Sequence, residues 1–125
     1  MFHRNLQRPR DIVVYPHKSL IFWTDWGVAA VSGTNRSERE KAGNILNNAI
    51  SGGARIESSF LDGSGRRCVI CNSKLHWPNG LTIDYAADRL YWVDAKRHVI
   101  ESSNLDGSER RLVLQGSQVG QNEIF

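Results

Sequence analysis

The chain has 125 residues, 40% of them hydrophobic and 23% charged, with a formal net charge of +3. That length suits one small domain and no more. The Lys and Arg residues are scattered, with no run longer than a pair such as Arg66-Arg67 or Arg110-Arg111, so they read as ordinary solvation rather than a nucleic-acid face.

No stretch approaches the ~18–20 apolar residues of a membrane span, so the segment is not expected to insert into a bilayer. The N-terminus, Met1 to Asn5, lacks the apolar core of a signal peptide. Taken literally the chain reads as cytosolic, which is at odds with its repeats.

Residues 1–7 carry no pattern and read as a leader. Arg8-Pro9-Arg10-Asp11 is a turn, and Ile12 to Tyr15 a strand. Pro16 to Ser19 turns the chain into Leu20-Ile21-Phe22-Trp23-Thr24-Asp25, a run of β-formers closed by Trp-x-Asp. After a long interruption, residues 54–60 form a third strand. Leu61-Asp62-Gly63-Ser64 is a hairpin turn with Gly63 open to positive φ, and Arg66 to Cys71 is a fourth strand.

The cycle then restarts. Trp77-Pro78-Asn79-Gly80 is the turn, Leu81 to Asp84 the first strand, and Tyr85 to Asp88 the lead into Arg89-Leu90-Tyr91-Trp92-Val93-Asp94. Alternation places Tyr91 and Val93 on one face and Leu90 and Trp92 on the other, as in a strand covered on both sides. Val99 to Ser103 is the third strand, Leu105 to Ser108 the turn, and Arg110 to Leu114 the fourth strand. Residues 116–125 lose the pattern.

The register follows by subtraction. Phe22 and Tyr91, Asp25 and Asp94, and Pro9 and Pro78 lie 69 residues apart, whereas Ile56 and Ile100, Asp62 and Asp106, and Arg67 and Arg111 lie 44 apart. Ile56-Glu57-Ser58-Ser59 recurs as Ile100-Glu101-Ser102-Ser103, and Leu61-Asp62-Gly63-Ser64 as Leu105-Asp106-Gly107-Ser108. One repeat is therefore 44 residues, and the first copy holds 25 more. A four-strand unit of ~40–45 residues has the length of a propeller blade.

The domains expected are a first repeat at 8–72, interrupted at about 28–53, and a second at 73–115. In the insert, Ser37 with Glu40 three residues on is the spacing of a capping box, ahead of Ile45, Leu46 and Ala49. Gly43 weakens such a helix by ~1 kcal/mol, so a short helix and a loop remain as alternatives. Asn35-Arg36-Ser37 is an N-glycosylation acceptor pattern, usable only in a secreted chain.

Cys68 and Cys71 form one C-x-x-C in a strand, where positions three apart point to opposite faces. No second pair completes four ligands, so the pair reads as inert. His3, His17, His76 and His98 show no ligand spacing, and no cofactor or metal set is legible.

Phe22-Trp23-Thr24-Asp25 and Tyr91-Trp92-Val93-Asp94 resemble the YWTD motif of low-density lipoprotein receptor class B repeats. Arg8-Pro9-Arg10, Asp25-Trp26-Gly27, Ala54-Arg55-Ile56-Glu57, the two Leu-Asp-Gly-Ser turns and Trp77-Pro78-Asn79-Gly80-Leu81 fit in order. The resemblance covers residues 6–27 and 54–115, and is greatest to the low-density lipoprotein receptor-related proteins.

The resemblance implies an all-β fold: two four-stranded blades of a six-bladed propeller, in a receptor ectodomain on the extracellular face of the plasma membrane. Further blades and EGF-like modules would adjoin it. Its ligands would be proteins or lipoproteins, in an endocytic receptor or Wnt co-receptor. By resemblance, Trp23 and Trp92 pack between blades, and Asp25 and Asp94 tie neighbouring strands. Where the family commonly has Asp, the first copy has Tyr15, although Asp84 keeps it in the second.

Two other functions stay open. One is a truncated product without independent function. The other is a calcium-dependent propeller hydrolase, for which Asn79 and Asp84 are the isolated oxygen ligands in view.

Overall fold

In the computed structural model, the described residues are 6–28, 53–71 and 74–116. They form eight strands: β1 Pro9–Tyr15, β2 Leu20–Asp25, β3 Arg55–Phe60, β4 Arg67–Cys71, β5 Pro78–Asp84, β6 Arg89–Asp94, β7 Val99–Asn104 and β8 Arg111–Gln115. A single 3-10 turn, Pro16–Lys18, joins β1 to β2. The insert, with its Ser37–Ala49 helix alternative and the Asn35 acceptor, lies outside the described residues, as does most of the expected leader and tail.

The strands make two antiparallel four-stranded sheets, β1-β2-β3-β4 and β5-β6-β7-β8. The repeat is reproduced down to individual pairs. Phe22 lies opposite Ser58 as Tyr91 lies opposite Ser102, and Trp23 opposite Glu57 as Trp92 opposite Glu101. Both first strands begin earlier than the hydrophobic run suggests, at Pro9 and Pro78, with an irregularity before Ile12 and Leu81. Proline suits such a position because it offers no N–H to the ladder.

The sheets stack face to face, with β5 lying against β1 and β2. The first blade presents Val13, Tyr15, Leu20, Phe22, Ile56 and Ile70. The second presents Leu81, Ile83, Leu90 and Trp92. Each blade therefore uses a different face at the seam. Phe22, Ile56, Leu90 and Trp92 are at most 1% exposed, and burying each stabilises the pair by about 1.5–3 kcal/mol.

The expectation of a strand covered on both sides needs revision for β6. Leu90 and Trp92 are buried in the seam, but Val93 is 40% exposed and Tyr91 only half-buried. The physical reason is position: among the described residues no third sheet lies against that side.

The inert reading of the C-x-x-C pair is also corrected, because Cys68 and Cys71 are disulfide-bonded. A β-bulge accounts for the error. Ile56 faces Ile70 and Glu57 faces Cys68, so Val69 is an extra residue in β4. Cys68 and Cys71 then stand opposite Glu57 and Arg55, two apart on β3 and hence on one face. Their Cα atoms are 6.1 Å apart, within bridging range.

The two hairpin glycines share a conformation but not an environment. Gly63 and Gly107 have φ of +87° and +88°. A Cβ on Gly63 would meet nothing within 4 Å, whereas one on Gly107 would collide with the backbone carbonyl of Val69 across the seam. Gly63→Ala should cost only the backbone term of about 1–2 kcal/mol. Gly107→Ala should add an overpacking cost of about 1–3 kcal/mol. Chemical denaturation of the two variants checks the difference, and equal losses would show that the seam yields there.

Candidate functional site

The motif strands end in buried carboxylates. The Asp25 side chain accepts hydrogen bonds from the backbone N–H groups of Gln7, Arg8 and Gly27, at 2.9, 2.9 and 2.7 Å. Asp94 accepts from His76, Trp77, Lys96 and Arg97 in the same manner. Both aspartates are 0% exposed. Each fastens the segment entering its blade to the end of the second strand.

Each also heads a chain of alternating charge. In the first blade it runs Asp25–Arg55–Glu57–Arg66, with closest N–O distances of 3.3, 2.9 and 2.8 Å. In the second it runs Asp94–Arg97–Glu101–Arg110, at 3.8, 3.0 and 2.7 Å. Glu57 and Glu101, and Arg66 and Arg110, are repeat equivalents, but Arg55 and Arg97 are not. Arg55 projects from β3, while Arg97 comes from the turn before β7. Each chain holds two carboxylates against two guanidiniums, which is how buried charge becomes tolerable.

The predicted motif residues divide by face. Phe22 and Thr24 face the second blade, and the Thr24 hydroxyl donates to the Asn79 carbonyl at 3.2 Å. Trp23 faces the other way, with the Arg66 guanidinium 5.5 Å from its ring centre. Trp92 lies in the seam, with Arg110 at 5.7 Å. Tyr91 and Val93 face outward.

Asn79 and Asp84 stand near opposite ends of β5. Asn79 accepts the Trp26 indole N–H at 3.0 Å, and Asp84 accepts the N–H groups of Ala86 and Ala87 in the next turn. They are not brought together.

Sequence reasoning missed a surface at the Asp25 end of the sheets. Trp26 and Trp77 stack with ring centres 5.4 Å apart and planes 17° off parallel. The Arg10 guanidinium lies 3.7 Å from the Trp26 ring centre, and the Lys96 ammonium 5.0 Å from that of Trp77. Arg8 lies 5.6 Å from Trp26, anchored through its Nε to the Gly27 carbonyl at 2.8 Å. Trp77 is 42% exposed. The layered order is cation, ring, ring, cation, and it bridges the two blades. Trp26 and Trp77 belong to different parts of the repeat, so no register pairs them. The only sequence signal was a Trp beside each end turn, in Asp25-Trp26-Gly27 and Trp77-Pro78-Asn79.

Tyr15, the departure from the family pattern, also acquires a role. Its hydroxyl donates to Asp88 Oδ1 at 2.7 Å, and its ring meets Tyr85 edge-on at 4.8 Å. The hydrogen bond to Asp88, followed by burial and the negative charge there, raises the Tyr15 hydroxyl above its ordinary pKa.

These features define the two sheets as adjacent blades of a YWTD-type β-propeller. Residues 88–122 match the low-density lipoprotein receptor repeat class B model. The chain is 32% identical over 112 residues to the vitellogenin receptor Yl of Drosophila melanogaster, covering 90% of this chain and 4% of that receptor. It is 34% identical over 98 residues to the vitellogenin receptor of Solenopsis invicta, covering 78% of this chain and 4% of the receptor. With low-density lipoprotein receptor-related protein 8 of Gallus gallus it shares 49% identity over 45 residues, 36% of this chain and 5% of that protein.

Among solved structures, a chain of a nidogen/laminin complex matches with a TM-score of 0.64 and 32% identity, over 92% of this chain and 35% of that one. This protein carries low-density lipoprotein receptor class B repeats, and it spans a small part of each receptor it matches.

The charge chain makes a pH-dependent prediction. Burial pushes the Glu57 carboxyl up, but hydrogen bonds from Arg66 and Arg55, with their charges, outweigh it and leave the group below the usual range. A depressed carboxylate stabilises the fold above its unfolded pKa, and the contribution disappears as pH falls through the folded value. Stability should therefore decline on acidification below about pH 4.5. Glu57→Gln should blunt that decline while costing about 3–5 kcal/mol near neutrality, because buried Arg55 is left with Asp25 to offset its charge. Urea denaturation at a series of pH values reads both effects, and an unchanged acid limb in the variant would refute the assignment.

Proposed function

We propose that this chain is a non-catalytic, protein-binding segment of a lipoprotein-receptor-type ectodomain, and that its ligand contacts the Trp26–Trp77 surface. The observation that carries this reading is the stacked indole pair with cations on both sides. Arg and Trp dominate binding energy at protein interfaces because they combine large contact area with directional charge. The neighbouring carboxylates Asp25 and Asp94 are turned inward onto backbone N–H groups, so they do not neutralise Arg8, Arg10 and Lys96 at the surface. An acidic protein segment carrying an apolar or aromatic residue fits this chemistry.

The relatives support the reading: two are named as vitellogenin receptors and one as a low-density lipoprotein receptor-related protein, and the structural neighbour comes from a nidogen/laminin complex. In this reading Phe22–Asp25 and Tyr91–Asp94 scaffold two class B units at 8–72 and 73–115 and do not touch ligand. Further blades and EGF-like modules would flank them, and Asn35 would be a glycan acceptor. An endocytic or Wnt co-receptor parent would place the segment outside the cell. The Cys68–Cys71 disulfide fits that compartment. No helix among the described residues is long and apolar enough to cross a membrane.

Surface plasmon resonance with vitellogenin and with laminin tests the reading. We expect saturable binding of at least one, weakened on the order of tenfold or more by Trp77→Ala or Arg10→Glu, as for an interface anchor. Raised salt should weaken it too. Calcium-dependent lactone hydrolysis should not be detectable. Failure to bind either protein, binding indifferent to both substitutions, or measurable hydrolysis would overturn it.

A further inference from the structure

The Cys68–Cys71 bridge is a feature of the first blade that the fold does not require. It lies on β4, the last strand of its sheet, and spans the bulge residue Val69 together with Ile70. The second blade is the internal comparison. Its β8 makes the same bulge opposite Ile100 and Glu101, with Leu112 and Gln115 where β4 has Cys68 and Cys71. Bulge and sheet therefore form without a crosslink. Nor does the bridge restrain much of the unfolded chain. Its cysteines are 3 apart in sequence, and the entropy that a crosslink removes shrinks with the loop it closes.

Access is the second observation. Cys68 is exposed and Cys71 half-buried. This openness does not depend on a missing neighbour. Leu112 stands opposite Glu101, which stands opposite Trp92, so Leu112 lies on the face of the second blade that the first blade covers. Leu112 is nevertheless 54% exposed, and Gln115 is exposed as well. The reason is that blades meet chiefly through their first two strands, whereas the fourth strand runs along the rim. A blade docked on the other side of the first would leave Cys68 open in the same way.

We propose that Cys68–Cys71 is a thiol–disulfide exchange site that accepts two electrons from a dithiol and passes between bridge and paired thiols without a change of fold.

The chemistry follows from which sulfur can be reached. One thiolate of the donor attacks Cys68 Sγ, the exposed sulfur. As the donor–Cys68 bond forms, the Cys68–Cys71 bond breaks, and its electron pair leaves on Cys71 Sγ, which takes a proton from water. The donor's second thiolate then attacks the donor sulfur of the mixed disulfide and expels Cys68 as a thiolate, protonated in turn. The donor ends as a disulfide and the blade as a dithiol. Exposed bridges are the labile ones in such exchange, because its rate depends on access to the attacked sulfur. Pairing of Cys68 with Glu57 and of Ile70 with Ile56 holds the bulge from both sides in either state. This inference is independent of the ligand proposed for the Trp26–Trp77 surface, and neither result bears on the other.

Incubation of the folded full chain with dithiothreitol or with reduced thioredoxin, followed by iodoacetamide and mass spectrometry, tests it. The bridge should open at a rate within about tenfold of that in urea, as for an accessible disulfide, with far-ultraviolet dichroism unchanged. Opening by both donors admits protein dithiols to the site, and opening by dithiothreitol alone confines it to small ones. Glutathione disulfide should modify Cys68 in a Cys71→Ser chain about tenfold or more faster than Cys71 in a Cys68→Ser chain, and the two rates should converge in urea. A bridge that resists both donors until urea unfolds the chain, or dichroism that collapses on reduction, overturns the proposal. So does equal reactivity of the two cysteines in the folded variants.

Discussion

The structure depends on one buried carboxylate per blade. Asp25 and Asp94 sit at the ends of strands whose Trp residues are already committed to packing, and each gathers backbone N–H groups from the chain before its blade. Such groups, buried without a partner, would cost about 1–3 kcal/mol apiece. A carboxylate offers roughly four lone-pair sites on two atoms, so one side chain satisfies several of them. Its own charge is met by Arg55 or Arg97 and relayed through Glu57 or Glu101 to a second arginine.

The two charge chains also show how a repeat conserves physics rather than position. A guanidinium is required between the carboxylates. It is delivered from β3 in one blade and from a turn in the other, because Arg is long and its planar fork reaches acceptors from several directions. The second route adds a link: Arg97 and Arg110 both donate to the carbonyl of Lys74, at 2.7 and 2.9 Å, and so stitch the inter-blade connection to the second sheet. The indole N–H groups of Trp23 and Trp92 are the exception, buried without a partner in both blades. Their rings lie beneath Arg66 and Arg110, so the cation–π contact compensates for the faces while the N–H groups stay unmet.

Scaffold and candidate contact surface are consequently separate. Phe22, Thr24, Asp25, Trp92 and Asp94 are consumed in closing and stacking blades, while Tyr91 and Val93 face outward. The Trp26–Trp77 layer projects from the end of β2 and the start of β5, outside the paired strands. The stack spans both blades, so its geometry is set by the seam, and a change in blade stacking would alter the spacing of the rings.

Much of this was legible in the residues alone. Period-two alternation, Gly-bearing turns and a 44-residue recurrence determined eight strands in two equivalent sheets, because strand and hairpin formation are local matters of side-chain alternation and turn chemistry. What lay beyond local pattern was decided by tertiary structure. The bulge at Val69 reversed the facing of Cys71, and one extra residue in a strand is invisible until its partner strand sets the register. Arg97 replaced Arg55 out of repeat order, and Trp26 met Trp77 across 51 residues of sequence. Which face of each blade became buried was likewise undecided by alternation, since both faces are apolar. Only the stacking of one sheet on the next chose between them.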